Sequence, residues 1–261
     1  MPIVEVQDDY TMSNTLAALD ARRLSAVSLN LAKESDSNTV VKVIRQSPQL
    51  RDADLYLFQE VGGRKRRQSV AEEIARKLGH HAYFDTSRAN VYHQGLAIVS
   101  RYPITDRCSI PLKPCNLLFN SRHRFALGAT VRTLWGDVRV WNVHLDTRIN
   151  AKERIQQLQP VVEEAGRHGG PQVIGGDFNT NNMYWIGRVL PLPFGSRHSS
   201  EVRRHMKLHG FETPLRDGLN TFTPLRRHLD WLFLRGMNAL EAAVVPVVFS
   251  DHNAVWVRAE L

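Results

Sequence analysis

Asp177 and Asn179 stand at the end of an apolar run and combine a carboxylate with an amide. The segment Gly175-Gly176-Asp177-Phe178-Asn179-Thr180 follows Val173-Ile174, which predicts a buried strand that ends in a tight turn. Residues i and i+2 of an extended segment lie on one face, so both polar groups point the same way. A carboxylate can hold a hard cation or orient a water, and an amide both donates and accepts hydrogen bonds. An Asx-rich turn without chemistry remains the other interpretation of this segment alone.

Further polar groups lie within or at the ends of other apolar, strand-like runs. Asp230 lies inside such a run, where an unpaired carboxylate would be costly. The adjacent Asp251 and His252 come directly before another apolar run. Because layered α/β folds assemble their sites at strand ends, we expect one site to collect these groups. The whole set is Asn30, Glu60, His144, Asp177, Asn179, Asp230, Asp251 and His252.

Seven short segments, six of which contain these groups, follow one another in a fixed order along residues 28 to 252. The segments are Ser28-Leu29-Asn30, Gln59-Glu60, Gly95 to Ile104, Asn142-Val143-His144-Leu145, Gly176-Asp177-Phe178-Asn179, Leu229-Asp230-Trp231 and Ser250-Asp251-His252. In order and spacing the chain resembles the endonuclease/exonuclease/phosphatase superfamily. The resemblance implies a DNase I-like four-layer α/β sandwich, with two packed mixed β-sheets flanked by helices. It also implies that residues 1–261 form a single domain of this kind.

The same resemblance implies metal-assisted hydrolysis of a phosphate ester, with a role for each motif residue. Asp177 would orient or deprotonate the attacking water, and Asn179 would hold a phosphate oxygen. His252 would contact the scissile phosphate, while Asp230 accepts a hydrogen bond from its other ring nitrogen. His144 stands where the family places a second group that contacts phosphate.

A divalent cation is the expected cofactor, because phosphoryl transfer needs charge neutralisation. Glu60 is a hard anionic oxygen ligand suited to Mg²⁺ or Mn²⁺, and Asn30 and Asp251 would add oxygens nearby. A zinc hydrolase is disfavoured because no HExxH or paired Cys/His spacing occurs. A serine hydrolase is disfavoured because no GxSxG occurs.

The chain is basic, with a formal net charge of +8 and a pI near 9.8, which favours an anionic partner. We predict nucleic acid as the phosphoester substrate, although anionic lipids and polyphosphates would also suit a basic face. Arg124, Arg226 and Arg227 are the candidate substrate contacts. The basic clusters are Arg64-Lys65-Arg66-Arg67, Arg122-His123-Arg124, Arg203-Arg204-His205 and Arg226-Arg227-His228. For Arg203-Arg204 a solvated helix surface is the preferred interpretation.

Several classes of protein are disfavoured by the rest of the composition. No run approaches the roughly 20 apolar residues of a membrane helix, and no signal peptide is visible, so we expect a cytoplasmic protein. No obligate protein partner is evident from the sequence. Cys108 and Cys115 suggest neither a metal set nor a disulfide framework. No extended apolar loop is visible, which disfavours lipid substrates. A phosphatase, a phospholipid-headgroup phosphodiesterase and an inactive phosphate-binding family member remain the alternatives.

The elements that must position these groups alternate between helices and strands. Helices are predicted at residues 12–23, 37–46, 68–78, 150–167 and 199–208. Strands are predicted near residues 82–85, 96–100, 125–134, 138–143, 173–174, 229–234, 243–248 and 254–258. Residues 181–196 are predicted to be irregular, with Tyr184 and Trp185 either stacking on a base or covering the edge of the core.

Overall fold

Two β-sheets packed face to face form the centre of the molecule in a computed structural model, which describes residues 22–62, 69–86, 94–115, 124–193 and 197–261. The strands are β1 (Arg23–Asn30), β2 (Leu55–Gly62), β3 (His81–Thr86), β4 (Gln94–Ser100), β5 (Ile104–Pro111), β6 (Phe125–Thr133), β7 (Gly136–His144), β8 (Gln172–Asp177), β9 (Tyr184–Ile186), β10 (Leu190–Leu192), β11 (Asp230–Arg235), β12 (Asn238–Val245) and β13 (Ala254–Glu260). The helices are α1 (Ser37–Gln46), α2 (Pro48–Arg51), α3 (Val70–Leu78), α4 (Ala151–Gly166) and α5 (His198–Leu208), with a 3₁₀ turn at Thr223–Leu225.

Both large sheets are mixed. The first has the order β12-β13-β1-β2-β4-β3 and the second the order β11-β8-β7-β6-β5. Within them β1 and β2 are parallel, as are β7 and β8, and the other neighbours are antiparallel. The carboxyl ends of these two parallel pairs carry Asn30, Glu60, His144 and Asp177.

Alternation along the strands divides the apolar core into layers. In β2, Leu55 and Leu57 join the core between the sheets, whereas Tyr56 and Phe58 face the core formed with α1, α2 and α3. This follows from the period of two in an extended chain. On the far side, α4 and α5 bury Leu158 and Met206 with the second sheet. The resulting order of helix, sheet, sheet and helix confirms the predicted four-layer sandwich.

Local signals predict the long elements well. Helix α1 has the predicted bounds, with the Asp36 side chain accepting hydrogen bonds from the first-turn amides. Helix α3 begins with a capping box between Ser69 and Glu72 and ends at Gly79 with φ 71°, a left-handed conformation that suits glycine. Strands β6 and β7 form the predicted hairpin, but its turn is Leu134-Trp135, because Gly136 and Asp137 already pair with Thr133 and Arg132.

The structure differs from the prediction in the bounds of several elements and in three strands that were not predicted. Strand β5 is missing from the prediction, and Arg23 belongs to β1 rather than to a helix, while residues 12–21 lie outside the described residues. The strand predicted at 243–248 runs from Asn238 to Val245, because Pro246 has no amide to continue the ladder. The region predicted as irregular contains the β9–β10 hairpin. None of the described helices is long and apolar enough to cross a membrane.

The β9–β10 hairpin exposes an apolar face that the sequence did not suggest. Tyr184 and Ile186 lie opposite Leu192 and Leu190, so these four side chains share one face. Tyr184, Ile186 and Leu190 are 46%, 49% and 55% exposed. The sequence predicted no extended apolar loop; this hairpin is short, but its exposed apolar face is a feature that the prediction did not include.

Candidate active site

Strand pairing brings the motif residues to one edge of the sandwich. His144 lies opposite Asp177 across the parallel β7–β8 pair, and Asp230 lies opposite Asp177 across the antiparallel β11–β8 pair. Asn30 ends β1, and His252 lies two residues before β13, the antiparallel neighbour of β1. Five predicted residues from different parts of the sequence are thus neighbours in space.

The double glycine of the motif permits this approach. Gly176 has φ 146°, and a Cβ at this position would lie 1.9 Å from the carbonyl oxygen of Val143. At Gly175 a Cβ would meet Leu232 at 2.5 Å and Leu57 at 2.7 Å, which belong to different sheets. A side chain at either position would push β8 away from its neighbours and displace Asp177.

Asp177 is the centre of the site and is 2% exposed. Its Oδ2 accepts a hydrogen bond from Nδ2 of Asn30 at 3.2 Å, and lies 3.4 Å from Nε2 of His144 and 3.9 Å from Nε2 of His252. Its Oδ1 accepts from the backbone amide of Asn179 at 2.9 Å. The carboxylate is therefore oriented by neighbours on several strands.

Asp230 and His252 form a buried pair. Nδ1 of His252 and Oδ2 of Asp230 are 2.8 Å apart, and the ring of Phe222 lies 5.0 Å from that of His252. Oγ1 of Thr221 accepts hydrogen bonds from the backbone amides of Leu229 and Asp230. The structure thus brings Asp230 and His252 together, and the control of the histidine tautomer by Asp230 stays a prediction.

The surroundings raise the pKa values of both Asp177 and His252, but for different reasons. Burial and the neighbouring Asp230 carboxylate raise the pKa of Asp177 to about 7. Burial alone lowers the pKa of His252, but the charge and hydrogen bond of Asp230 outweigh it and raise the pKa to about 10. Between these values Asp177 is ionised while His252 is still protonated, which are the forms of a base and an acid.

Asn179 adopts a left-handed conformation with φ 53°. Its Nδ2 donates to the carbonyl oxygen of Leu145 at 2.9 Å, so the amide joins the loop after β8 to the loop after β7. The side chain of Asn179 therefore lies at the edge of the site, and its contact with a phosphate oxygen stays a prediction.

Glu60 owes its position to a β-bulge. The register of β2 on β4 passes from Phe58 opposite Ala97 to Val61 opposite Gly95, and Glu60 has φ 51°. Such a bulge turns a side chain away from the regular alternation. The Glu60 carboxylate adds to the repulsion that raises the pKa of Asp177, so the two groups interact.

The excess of acids at this edge fits a divalent cation. Within the described chain, Oδ1 of Asp230 is buried without a hydrogen-bond partner, and a carboxylate oxygen in this state is a suitable ligand for a hard cation. The ligand atoms of Asp177, Asp230 and His252 also lie within 4.8 Å of one another. We prefer Glu60 as the ligand, because its carboxylate offers the hard oxygen that Mg²⁺ and Mn²⁺ prefer over an imidazole nitrogen.

The predicted arginines differ in their surroundings. Nε of Arg124 lies 3.2 Å from Oδ1 of Asp146, and both side chains are largely buried, so this guanidinium already has an anionic partner. Arg226 is exposed, with φ 48°, and the half-buried Arg227 pairs through its backbone with Phe222. Residues 64–67 lie outside the described residues.

Buried hydrogen bonds join the two sheets next to the β2 bulge. The sequence analysis did not predict them. Asn142 of β7 donates from Nδ2 to the carbonyl oxygens of Phe58 and Ala97, and its Oδ1 accepts from Nε2 of Gln59 at 2.8 Å. All of these groups are buried. The available signal was an amide inside each of two otherwise apolar runs.

Residues 27–252 match the sequence profile of the Endonuclease/Exonuclease/phosphatase family, and the chain belongs to this family. Among solved structures it is similar to an endonuclease/exonuclease/phosphatase from Beutenbergia cavernae, with 20% identity, a TM-score of 0.71, and coverage of 92% of this chain and 72% of that one. The human Nocturnin catalytic domain with bound sulfate has 14% identity, a TM-score of 0.66, and coverage of 92% and 95%. ANGEL2, a 2',3'-cyclic phosphatase in complex with adenosine-2',3'-vanadate, has 14% identity, a TM-score of 0.61, and coverage of 93% and 97%. At these identities the structures establish a common fold.

Proposed function

We propose that this chain is a divalent-metal-dependent phosphodiesterase that hydrolyses nucleic-acid phosphodiester bonds with an activated water. The observation that carries the proposal is the buried Asp177 carboxylate, with Asn30, His144 and His252 all within 3.9 Å of its Oδ2. In this proposal residues 1–261 form one catalytic domain.

Asp177 takes a proton from the attacking water, since its raised pKa makes it a better base than an ordinary carboxylate. His252 stays protonated beside Asp230 and stabilises charge on the scissile phosphate, or donates a proton to the leaving oxygen. His144 and Asn179 hold non-bridging phosphate oxygens. The residues thus divide the work between activating water and neutralising the phosphate.

Glu60 would hold the cation, and Asn30 and Asp251 would supply further oxygens. Asp251 is exposed and its own carbonyl oxygen accepts hydrogen bonds from the amide and Oγ1 of Thr223. When bound, Mg²⁺ or Mn²⁺ supplies positive charge against the phosphate oxygens. The acid-rich edge described above supports this assignment.

Nucleic acid is the proposed substrate because of the net charge of +8, which favours a polyanion over a single phosphate. Phe222, next to His252, and the exposed Arg226 lie on the segment beside the site. An adenosine derivative in one structurally similar protein is compatible with a nucleotide-like substrate.

The test is hydrolysis by metal-stripped protein with Mg²⁺, Mn²⁺ or Zn²⁺ restored. Substrates are plasmid, abasic duplex, single-stranded oligonucleotide, sphingomyelin vesicles, inositol phosphates and bis-p-nitrophenyl phosphate. We expect Mg²⁺ or Mn²⁺ to restore cleavage of nucleic acid better than Zn²⁺, and Glu60→Gln to require more metal for the half-maximal rate. Full activity in chelator would overturn the metal dependence. Ligand binding without any hydrolysis would favour an inactive phosphate-binding protein.

A phospholipid-headgroup phosphodiesterase is the second candidate, and the β9–β10 hairpin favours it. Its apolar face is exposed, and Trp185 of the same hairpin exchanges hydrogen bonds with Asn150, on the loop after β7. Large contiguous apolar patches are typical of interaction surfaces, and the apolar face of this hairpin is the feature that would contact a lipid surface. If lipid is the substrate, Ile186→Ser with Leu190→Ser should lower hydrolysis in vesicles while leaving bis-p-nitrophenyl phosphate unaffected.

A further inference from the structure

Helix α4 places a fully buried guanidinium behind the candidate site. Arg154 is 0% exposed. Its Nη1 donates to the carbonyl oxygens of Asp146 at 2.6 Å and Phe178 at 2.8 Å. Its Nη2 donates to those of Ile149 at 3.0 Å and Thr147 at 3.3 Å. These hydrogen bonds of the cation all go to backbone carbonyls.

The four carbonyls belong to two loops that carry site residues. Asp146, Thr147 and Ile149 follow His144 at the end of β7, and Phe178 lies between the two polar residues of the β8 motif. Nη1 contacts one carbonyl from each loop, so a single nitrogen joins them. The loops also contact each other directly, because the amide of Leu145 donates to the carbonyl oxygen of Asp177 at 2.9 Å.

Burying the charge of Arg154 costs free energy of folding, so a role in stability alone does not explain this residue. Burial lowers the pKa of Arg154 to about 9, which reflects the cost of removing a charge from water. Even a buried ion pair can often be replaced by well-packed apolar residues without loss of stability, so a buried charge is weak evidence of a purely stabilising role. What an apolar residue cannot do is satisfy the carbonyls of two adjoining loops at once.

We propose that Arg154 is a positioning residue that fixes His144 relative to Asp177 and Asn179. The catalytic part of this inference rests on the proposed function. Groups that share one transition state must be held to a fraction of an ångström, and a misplacement of about 1 Å can cost roughly 10²-fold in rate. Arg154 itself has no contact with the substrate in this role.

Gln157, one helical turn further along α4, supports the same loop. Its Nε2 donates to Oδ2 of Asp146 at 2.7 Å, and its Oε1 accepts from the amide of Asp146 at 3.0 Å. Two side chains spaced three residues apart on one helix face therefore face the loop after β7.

Arg154→Lys is the main test, because lysine keeps the charge but cannot reach four carbonyls in the planar arrangement of a guanidinium. Arg154→Met is the neutral variant. The matched control is Arg235→Lys: Arg235 ends β11, at the opposite end from Asp230, and donates to the carbonyl oxygens of Ala165 and His168. Both arginines thus bind backbone carbonyls, but only Arg154 contacts the site loops.

For the best substrate of the panel we expect Arg154→Lys to lower kcat by roughly tenfold or more, with KM changed less than about twofold. Assays are run well below the melting temperature of each variant. Arg235→Lys should lower the melting temperature while kcat stays near wild type. A wild-type kcat in Arg154→Lys, at any loss of stability, would overturn the positioning role.

Amide hydrogen exchange supplies a readout that needs no activity. The amides of Leu145 and Phe178 donate to the carbonyl oxygens of Asp177 and Leu229, so they report on the two loops. We expect their exchange to accelerate in Arg154→Lys and Arg154→Met but not in Arg235→Lys. If the wild type hydrolyses nothing, the proposed function fails, and unchanged exchange at these amides would separately overturn the role of Arg154.

Discussion

At the level of single residues, the ionisation of Asp177 and His252 should control turnover. The carboxyl must be deprotonated to act as a base, and the imidazole must be protonated to act as an acid. The raised pKa values of about 7 and about 10 leave a window between them in which both forms coexist. With the ordinary pKa values of aspartic acid and histidine, both forms would coexist from about pH 4 to about pH 6.5 instead.

The first prediction is the pH profile of kcat/KM, because this ratio reports the pKa values of groups in the free enzyme. The ratio should rise as pH passes through about 7, since Asp177 loses its proton there, and should fall as pH approaches about 10, since His252 then loses its proton. Initial rates measured across pH test this. A maximum at acidic pH, where Asp177 is protonated, would contradict the assignment.

The second prediction concerns how the two groups share one transition state. Asp177→Asn and His252→Ala should each lower kcat by roughly 10² or more. The double variant should lose less than the product of the two losses. Asp137→Asn is the control, since Asp137 is exposed at the start of β7, far from His144. Near-wild-type turnover in His252→Ala would remove that residue from the mechanism.

Residue types in order along the chain predict which groups meet at the site, but not how they are held. Asp177, Asp230 and His252 carry recognisable motifs, so their proximity follows from the family pattern. Arg154 was not predicted, because its partners are backbone carbonyls, and these have no signature in the sequence. Asn142 lay inside a recognised motif, but its bridge to Gln59 joins residues far apart in sequence.

At the level of elements, the position of Asp177 depends on the close contact of β7 with β8. Gly176 makes this contact possible, because its φ of 146° and the nearby Val143 carbonyl exclude a side chain. Strand β8 is also bound on its other side by β11. The strand thus cannot shift without moving two of its neighbours.

The third prediction is therefore a large cost for Gly176→Ala. The added Cβ clashes with backbone rather than with a flexible side chain, so the free energy of unfolding should fall by about 2–4 kcal/mol. Gly169→Ala is the control, since nothing lies within 4 Å of a Cβ there. Denaturant unfolding measures both. Equal stability of the two variants would show that β8 can move freely.

Elements with local signals were predicted, and those fixed by distant pairing were not. Helix α3 has its capping box and terminal glycine in the sequence. Strand β5 alternates polar and apolar residues less clearly and is stabilised by its pairing with β6, so its conformation depends on a partner. Strands β9 and β10 have only three residues each, too few to give a pattern.

At the level of the whole molecule, the net positive charge must act through particular surface groups if it selects the substrate. Arg226 and Arg227 are the described candidates, because their segment pairs with Phe222, whose ring packs against His252. Arg124 is less suited to this role while it is paired with Asp146. The hypothesis that net charge selects the substrate can therefore be tested by substituting Arg226 and Arg227.

The last prediction is the salt dependence of nucleic-acid binding. The variant is Arg226→Asn with Arg227→Gln, because asparagine tolerates the left-handed φ of 48° at the first position. Each phosphate contact adds about −0.9 to the slope of log affinity against log salt on duplex DNA, and about −0.7 on single strands. The variant should reduce the magnitude of the slope by roughly one to two units, and should raise KM more than it lowers kcat.

Arg23→Gln with Arg132→Gln removes the same charge at the opposite end of the sheets and should leave the slope nearer to wild type. If the Arg226 and Arg227 variant instead loses bis-p-nitrophenyl phosphate hydrolysis while its salt slope is unchanged, these arginines belong to a compact phosphate pocket, and a phosphatase or headgroup hydrolase becomes the better description.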